Sequence, residues 1–322
     1  ISTDVTVGQT QGLKTNGSLI IRQLITDNVE DILLATVTFP AEAYDTTYPT
    51  MLTSAEVSEM IDALYELSDE DPTLPVASIS TNVTVGQTQS LKENESLIIN
   101  QLISNKIVET LTAAGNTIPD SSYTDPVLKV ILKDTEIDSM IDALSVLADG
   151  DDDMLVTAIP TDVTIGQLKS LSVSESVIIQ RLIRDSIVDA VNLTYFPDEA
   201  YVGDTPGDQL KAAEISNMIL ALEVLAGSTV PGDRDTVKVT AVSTNPTVGQ
   251  TQDLKDNASL IINQLISESI VSALSSQTIP DGAYIDSVTK ETLKDTEIDS
   301  MIDALLILAD NDENVLVSAV PV

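Results

Sequence analysis

The chain has no cysteine, no histidine and no tryptophan, and only two phenylalanines and seven tyrosines among its 322 residues. Without cysteine there are neither disulfides nor thiolate metal sites, and the redox compartment goes unmarked. Without histidine the chain lacks the commonest general base, the usual zinc ligand and the side chain that changes charge near neutral pH. The shortage of aromatics leaves Ile, Leu and Val to build the core. Positive charge is scarce too: 15 Lys and Arg stand against 51 Asp and Glu, a formal charge of -36. Such a surface repels phosphate backbones and anionic lipid heads, which argues against nucleic acid and membrane-surface partners. It favours solubility and cation binding instead. No apolar run reaches the roughly 18–20 residues that span a bilayer, so direct membrane insertion of this segment is not expected. No signal peptide is visible, and the opening at Ile1 rather than Met reads as a processed or excised piece. With 43% hydrophobic residues the chain is nonetheless no disordered acidic tail.

What is present is a repeat. Ile1-Ser2-Thr3-Asp4-Val5-Thr6-Val7-Gly8-Gln9 recurs in closely related form from Ile79, Ile159 and Val242. The stretch from Leu132 to Leu144 is identical to that from Leu293 to Leu305. Self-similarity at roughly eighty residues divides the chain into four modules, 1–78, 79–158, 159–241 and 242–322. The last residues, Ala319-Val320-Pro321-Val322, match the junction at Ala158-Ile159-Pro160-Thr161, a phase expected of a segment from a longer array.

Each module reads as four pieces. A short first helix opens on Thr-x-x-Gln (Thr6/Gln9, Thr84/Gln87, Thr164/Gln167, Thr247/Gln250), the spacing of a reciprocal capping box. A glycine at the second helical position, such as Gly86, works against that helix by about 1 kcal/mol. The second helix carries a broad apolar face through Ile98, Ile99, Leu102, Ile103, Ile107 and Leu111, wide enough to be buried against two neighbours. Asn16, Asn94 and Asn257 precede it as expected N-caps. A Pro turn ending in Tyr follows (Pro40/Tyr44, Pro119/Tyr123, Pro197/Tyr201, Pro280/Tyr284), and then a variable loop. The third helix has a narrow stripe of Ile137, Met140, Ile141, Leu144 and Leu147, with Asp138 and Asp142 on the wet side. A β-branched stretch closes the module (Leu155 to Ile159, Val237 to Ala241, Val315 to Ala319) and is expected to form a short strand at the junction, the alternative being an extended linker crossing to the next module. The expected fold class is mainly α with short strands at module junctions: four tandem helical repeats of about eighty residues stacked in an extended array.

Two patterns suggest chemistry. Asp149-x-Asp151-x-Asp153 and Asp310-x-Asp312-x-Asn314, with the weaker Asp69-x-Asp71-x-Thr73, place oxygen donors at alternate positions, as a loop wrapped round Ca2+ requires. The sixth position of each run is Met154, Val315 or Leu74 instead of the glycine of an EF-hand loop, and the third module has only Asp233 and Asp235 in a differently built loop. The competing reading is a solvated, charged helix exit. Asn16, Asn82, Asn94, Asn192 and Asn257 stand in Asn-x-Ser/Thr sequons and are candidate glycosylation sites. For catalysis the paired acids Glu136/Asp138 and Asp138/Asp142 read as one exposed helical face, and no phosphate loop or nucleophile elbow is present.

These features point to a non-enzymatic structural repeat protein of the cell surface or extracellular space. It would be a segment of a fibre, stalk or surface layer whose partners are further copies of itself or neighbouring repeats. The alternative from another class is a calcium-dependent adhesin or ligand-binding module, with the variable loop as its contact surface.

Overall fold

The computed structural model describes residues 5–33, 39–127, 129, 131–191, 193, 196–203, 207, 209–227, 234–274, 277–286, 288, 290 and 292–320. The chain forms two compact units, Ile1–Thr161 with Ser176–Ile178, and Asp162–Glu175 with Ile179–Val322. The protein is mainly helical. Among the described residues there are twelve α-helices, three for each sequence repeat. They are α1 (Val7–Leu13), α2 (Leu19–Leu33), α3 (Ser54–Leu67), α4 (Val85–Ser90), α5 (Leu97–Ala113), α6 (Asp134–Leu147), α7 (Ile165–Leu171), α8 (Val177–Val191), α9 (Ala212–Leu225), α10 (Val248–Asp253), α11 (Leu260–Ala273) and α12 (Asp295–Leu308). None of the described helices is long and apolar enough to cross a membrane.

In the first unit, residues 79–158 illustrate how the elements arise. The Thr84 hydroxyl accepts from Gln87 N–H at 3.2 Å while Gln87 Oε1 accepts from Thr84 N–H at 3.0 Å, so the capping box starts α4 as its spacing predicts. The same reciprocal box starts α1, α7 and α10. Gln89 then donates to the Ile141 carbonyl at 2.8 Å and Lys92 pairs with Asp142, which ties the short helix to α6. The stripe of α6 is buried as its period requires, with Ile137, Met140, Ile141, Leu144 and Leu147 all within 2% of full burial. Helix α5 packs against α3, α6 and the turn Val156–Ala158. With the turn Ala41–Ala43 as a fourth neighbour, these surfaces account for the breadth of its apolar face. Buried hydroxyls complete the backbone pairing: Ser104 accepts from Leu132 N–H at 3.1 Å, and Thr110 donates to the Val156 carbonyl at 3.0 Å.

The glycine in the first helix has a steric cause. Val85 and Gly86 N–H donate to the carbonyls of Met154 and Asp152, both at 2.9 Å, so the loop after α6 lies directly on the start of α4. A Cβ on Gly86 would stand 3.1 Å from Asp152 Cβ and 3.2 Å from its carbonyl oxygen. At Gly8 the same atom would meet the Pro72 carbonyl oxygen at 2.9 Å. Close backbone approach outweighs the helix penalty.

The expected junction strands do not form. Leu155 makes one isolated antiparallel bridge to Thr84, and the chain then enters a 3₁₀ turn over Val156–Ala158. Pro75, Lys238 and Leu316 make the corresponding single bridges to Thr6, Thr164 and Thr247. The partner strand is only one residue long because Thr84 is already the N-cap of α4. The β-branched run therefore folds back on the opening of its own repeat, where Val156 is buried and its N–H donates to Val83 O at 3.0 Å. Within the second unit the same logic recurs, with α11 packed against α9, α12 and the turn Val317–Ala319.

Candidate functional site

The feature with the most organised chemistry is the place where one repeat meets the next. In the first unit Glu56, in the first turn of α3, is 5% exposed and faces the start of α5. Its Oε1 accepts from the Ser96 hydroxyl at 2.5 Å and from Ile98 N–H at 3.1 Å, and its Oε2 accepts from Leu97 N–H at 3.1 Å. Ser96 in turn accepts from Ile99 N–H at 3.1 Å. The N–H groups that a helix N-terminus leaves unpaired are thus taken up by one serine and one carboxylate, and the carboxylate sits at the positive end of the helix dipole. Asn94 adds a bond across the same seam, donating to Glu59 O at 3.0 Å.

In the second unit Glu214 does the same for α11, accepting from the Ser259 hydroxyl, Leu260 N–H (3.1 Å) and Ile261 N–H (3.0 Å). Asn257 donates to Asn217 O at 2.9 Å. Glu136, again within the first unit, accepts from Ser176, Val177 and Ile178, the residues of α8's opening that belong to that unit. Under each clasp lies a methionine, Met60, Met140 or Met218, with no exposed surface.

This arrangement corrects two sequence expectations. Glu136 does not share an exposed face with Asp138; it is 6% exposed and fully engaged, whereas Asp138 and Asp142 are exposed as expected. The N-caps of α5 and α11 are Ser96 and Ser259, not the asparagines two residues earlier. Those asparagines instead shape the approach to the helix, accepting from the serine N–H through Oδ1.

The sequons fall in different settings. Asn94 and Asn257 use their side-chain nitrogens in the seam, while Asn16 is exposed, with its Oδ1 held by Ser18 N–H at 2.9 Å. Asn82 Oδ1 accepts from the Thr157 hydroxyl at 3.2 Å, and Asn192 lies outside the described residues.

The Asp-x-Asp runs have a backbone role. Asp69, Asp149 and Asp310 take left-handed φ of 52°, 52° and 54° immediately after their helices. Asp69 N–H donates to Glu66 O and Glu70 N–H to Tyr65 O, the paired bonds of a Schellman exit; the residues at Asp149/Gly150 and Asp310/Asn311 repeat them. Asp71, Asp151 and Asp312 each accept from the N–H two residues on, from Thr73, Asp153 and Asn314. Bonds from the Thr73 hydroxyl and N–H hold the Asp71 carboxyl below its ordinary pKa. Among the described residues no group of three or more His, Cys, Asp or Glu side chains comes together to hold a metal ion. Asp233 lies outside those residues.

An open cleft of about 350 Å³ beside the start of α5 has Lys92, Glu93, Glu95, Asn100, Asp134 and Asp138 among its lining residues. That lysine is already paired with Asp142. Compared with known protein families, curated proteins and solved structures, the chain gives no match. The functional reading therefore rests on the geometry.

Proposed function

We propose that this chain is a non-enzymatic structural repeat protein, a segment of an extracellular fibre, stalk or surface layer in which acidic modules stack head to tail. The observation that carries the reading is the recurrent seam. Each of Glu56, Glu136 and Glu214 is spent on the start of a helix in the following repeat, not on a substrate pocket. A carboxylate buried at a seam specifies register, because sliding the helix start away would leave the charge and three donors unpaired. Fifty-one acidic residues keep the remaining surface mutually repulsive and soluble, so contact is confined to the seams. Repeats coupled this way gain stability from each neighbour.

Small-angle scattering on chains of two and four repeats tests the extended arrangement. The maximum dimension rises in proportion to repeat number if modules stack. A four-repeat particle no longer than a two-repeat one would overturn it.

A further inference from the structure

Among the described residues two halves of the seam are left uncovered, one on α12 and one at the start of α2. On α12, Glu297 is exposed, Met301 and Ala304 are half-buried and Leu308 is 40% exposed. These residues lie on one helical stripe, and their counterparts are closed: Glu56 5%, Met60 0%, Ala63 0% and Leu67 4% in α3, and Glu214, Met218, Ala221 and Leu225 alike in α9. At the other end, Ser18 is exposed and Ile20 is 80% exposed at the start of α2. Their counterparts Ser96, Ile98, Ser259 and Ile261 are completely buried. The front loop is already in its bound form. Asn16 N–H donates to Leu13 O at 2.8 Å and Ser18 N–H to Asn16 Oδ1 at 2.9 Å, as Asn94 donates to Leu91 O and Ser96 to Asn94 Oδ1, both at 2.9 Å.

We infer that the Glu297 face is a docking site for the Ser18–Ile20 face of a second copy of this chain, making between molecules the seam that Glu56 and Glu214 make within them. Glu297 accepts the Ser18 hydroxyl and the Leu19 and Ile20 N–H groups, and Met301 and Leu308 cover Ile20. The two faces differ, so the contact is heterologous and does not close in a dimer. The front loop needs no reordering, which removes part of the cost of association. Self-repulsion from the net charge of -36 opposes it, and at 1 M salt, where screening acts over about 3 Å, that opposition is nearly gone.

The inference rests on the head-to-tail reading, and the test separates the two. Sedimentation of the full chain up to on the order of millimolar, the effective concentration a short tether provides, is compared with two one-sided variants. Ile20→Lys closes the front and Glu297→Ala/Leu308→Lys closes the back; all three positions are exposed, so circular dichroism and melting stay as in the parent. The parent forms species that grow with concentration, each variant alone stays monomeric, and an equal mixture of the two stops at a dimer. Glu297→Ala by itself weakens association by about tenfold or more. A parent that remains monomeric throughout, or a one-sided variant that still associates with itself, overturns the inference. Neither result touches the internal seam, which is tested separately by Glu56→Ala.

Discussion

Replacing Glu56 with alanine removes the acceptor for three donors at once: the Ser96 hydroxyl and the N–H groups of Leu97 and Ile98. Ser96 and Ile98 have no exposed surface, so water does not replace the carboxylate without opening the seam. An unsatisfied buried donor costs about 1–3 kcal/mol, and bonds to a charged acceptor lie at the upper end of that range. Ser96 regains part of this by turning its hydroxyl, and Leu97 is half-buried, so the net loss is about 3 kcal/mol. For a unit of this size that is a fall in melting temperature of about 6–12 °C. The control is built into the chain. Glu297→Ala makes the same chemical change at the same helical position, but Glu297 is exposed, and its effect stays within about 0.5 kcal/mol. Urea melts followed by circular dichroism at dilute concentration measure both, and hydrogen exchange at Ile98 locates the loss. Equal effects of the two substitutions would show that the clasp contributes nothing to the seam.

Three other outcomes follow from the geometry. Gly8→Ala destabilises by about 1–3 kcal/mol because the new methyl meets the Pro72 backbone at 2.9 Å, whereas Gly12→Ala in the same helix, with open space around it, stabilises by about 0.5–1 kcal/mol; matched thermal melts read the opposite signs. Tyr44, whose pKa is pushed up to about 12 by burial and by its bond to Glu30, keeps its proton while the unfolded tyrosine loses it near 10. Stability from this group is therefore complete below about pH 10 and lost between about 10 and 12; Tyr44→Phe flattens that alkaline decline, and phenolate absorbance titration checks it. Millimolar calcium leaves the melting temperature unchanged, since Asp71, Asp151 and Asp312 each spend a carboxylate oxygen on a turn N–H and no three acidic side chains converge among the described residues; a rise of several degrees would establish a cation site.

Local rules were readable from the chain wherever both partners sit a few residues apart. Thr84 and Gln87 are such a pair, and their capping box forms in every repeat. The stripe from Ile137 to Leu147 is likewise a property of one helix and its period. What escaped depends on partners far along the chain. Glu136 looks like any acidic residue on a helix that also carries Asp138, because the N–H groups that bury it belong to Val177 and Ile178. A signal was present: this glutamate recurs as Glu56, Glu136, Glu214 and Glu297, while the position two residues on alternates between Ser and Asp. The serines paired with it, Ser96, Ser176 and Ser259, recur equally, and Ser18 holds the same position in the first repeat. The strand expectation failed for a related reason. Val156 and its neighbours have β-branched side chains suited to a strand, but the partner segment turns helical after Thr84, leaving one bridge. The acidic exits were read two ways because alternate aspartates suit both a wrapped cation and a pair of consecutive turns; the left-handed φ at Asp69, Asp149 and Asp310 belongs to the helix exits and was not legible from the residue types.

In the head-to-tail reading each repeat is completed by its neighbour through the glutamate seam. The most direct measurement is the melting temperature of residues 79–158 alone against that of the full chain. The single repeat, with α5 stripped of Glu56 and α3, is expected to be unfolded or to melt far below the parent. A single repeat that melts at the same temperature as all four would contradict it.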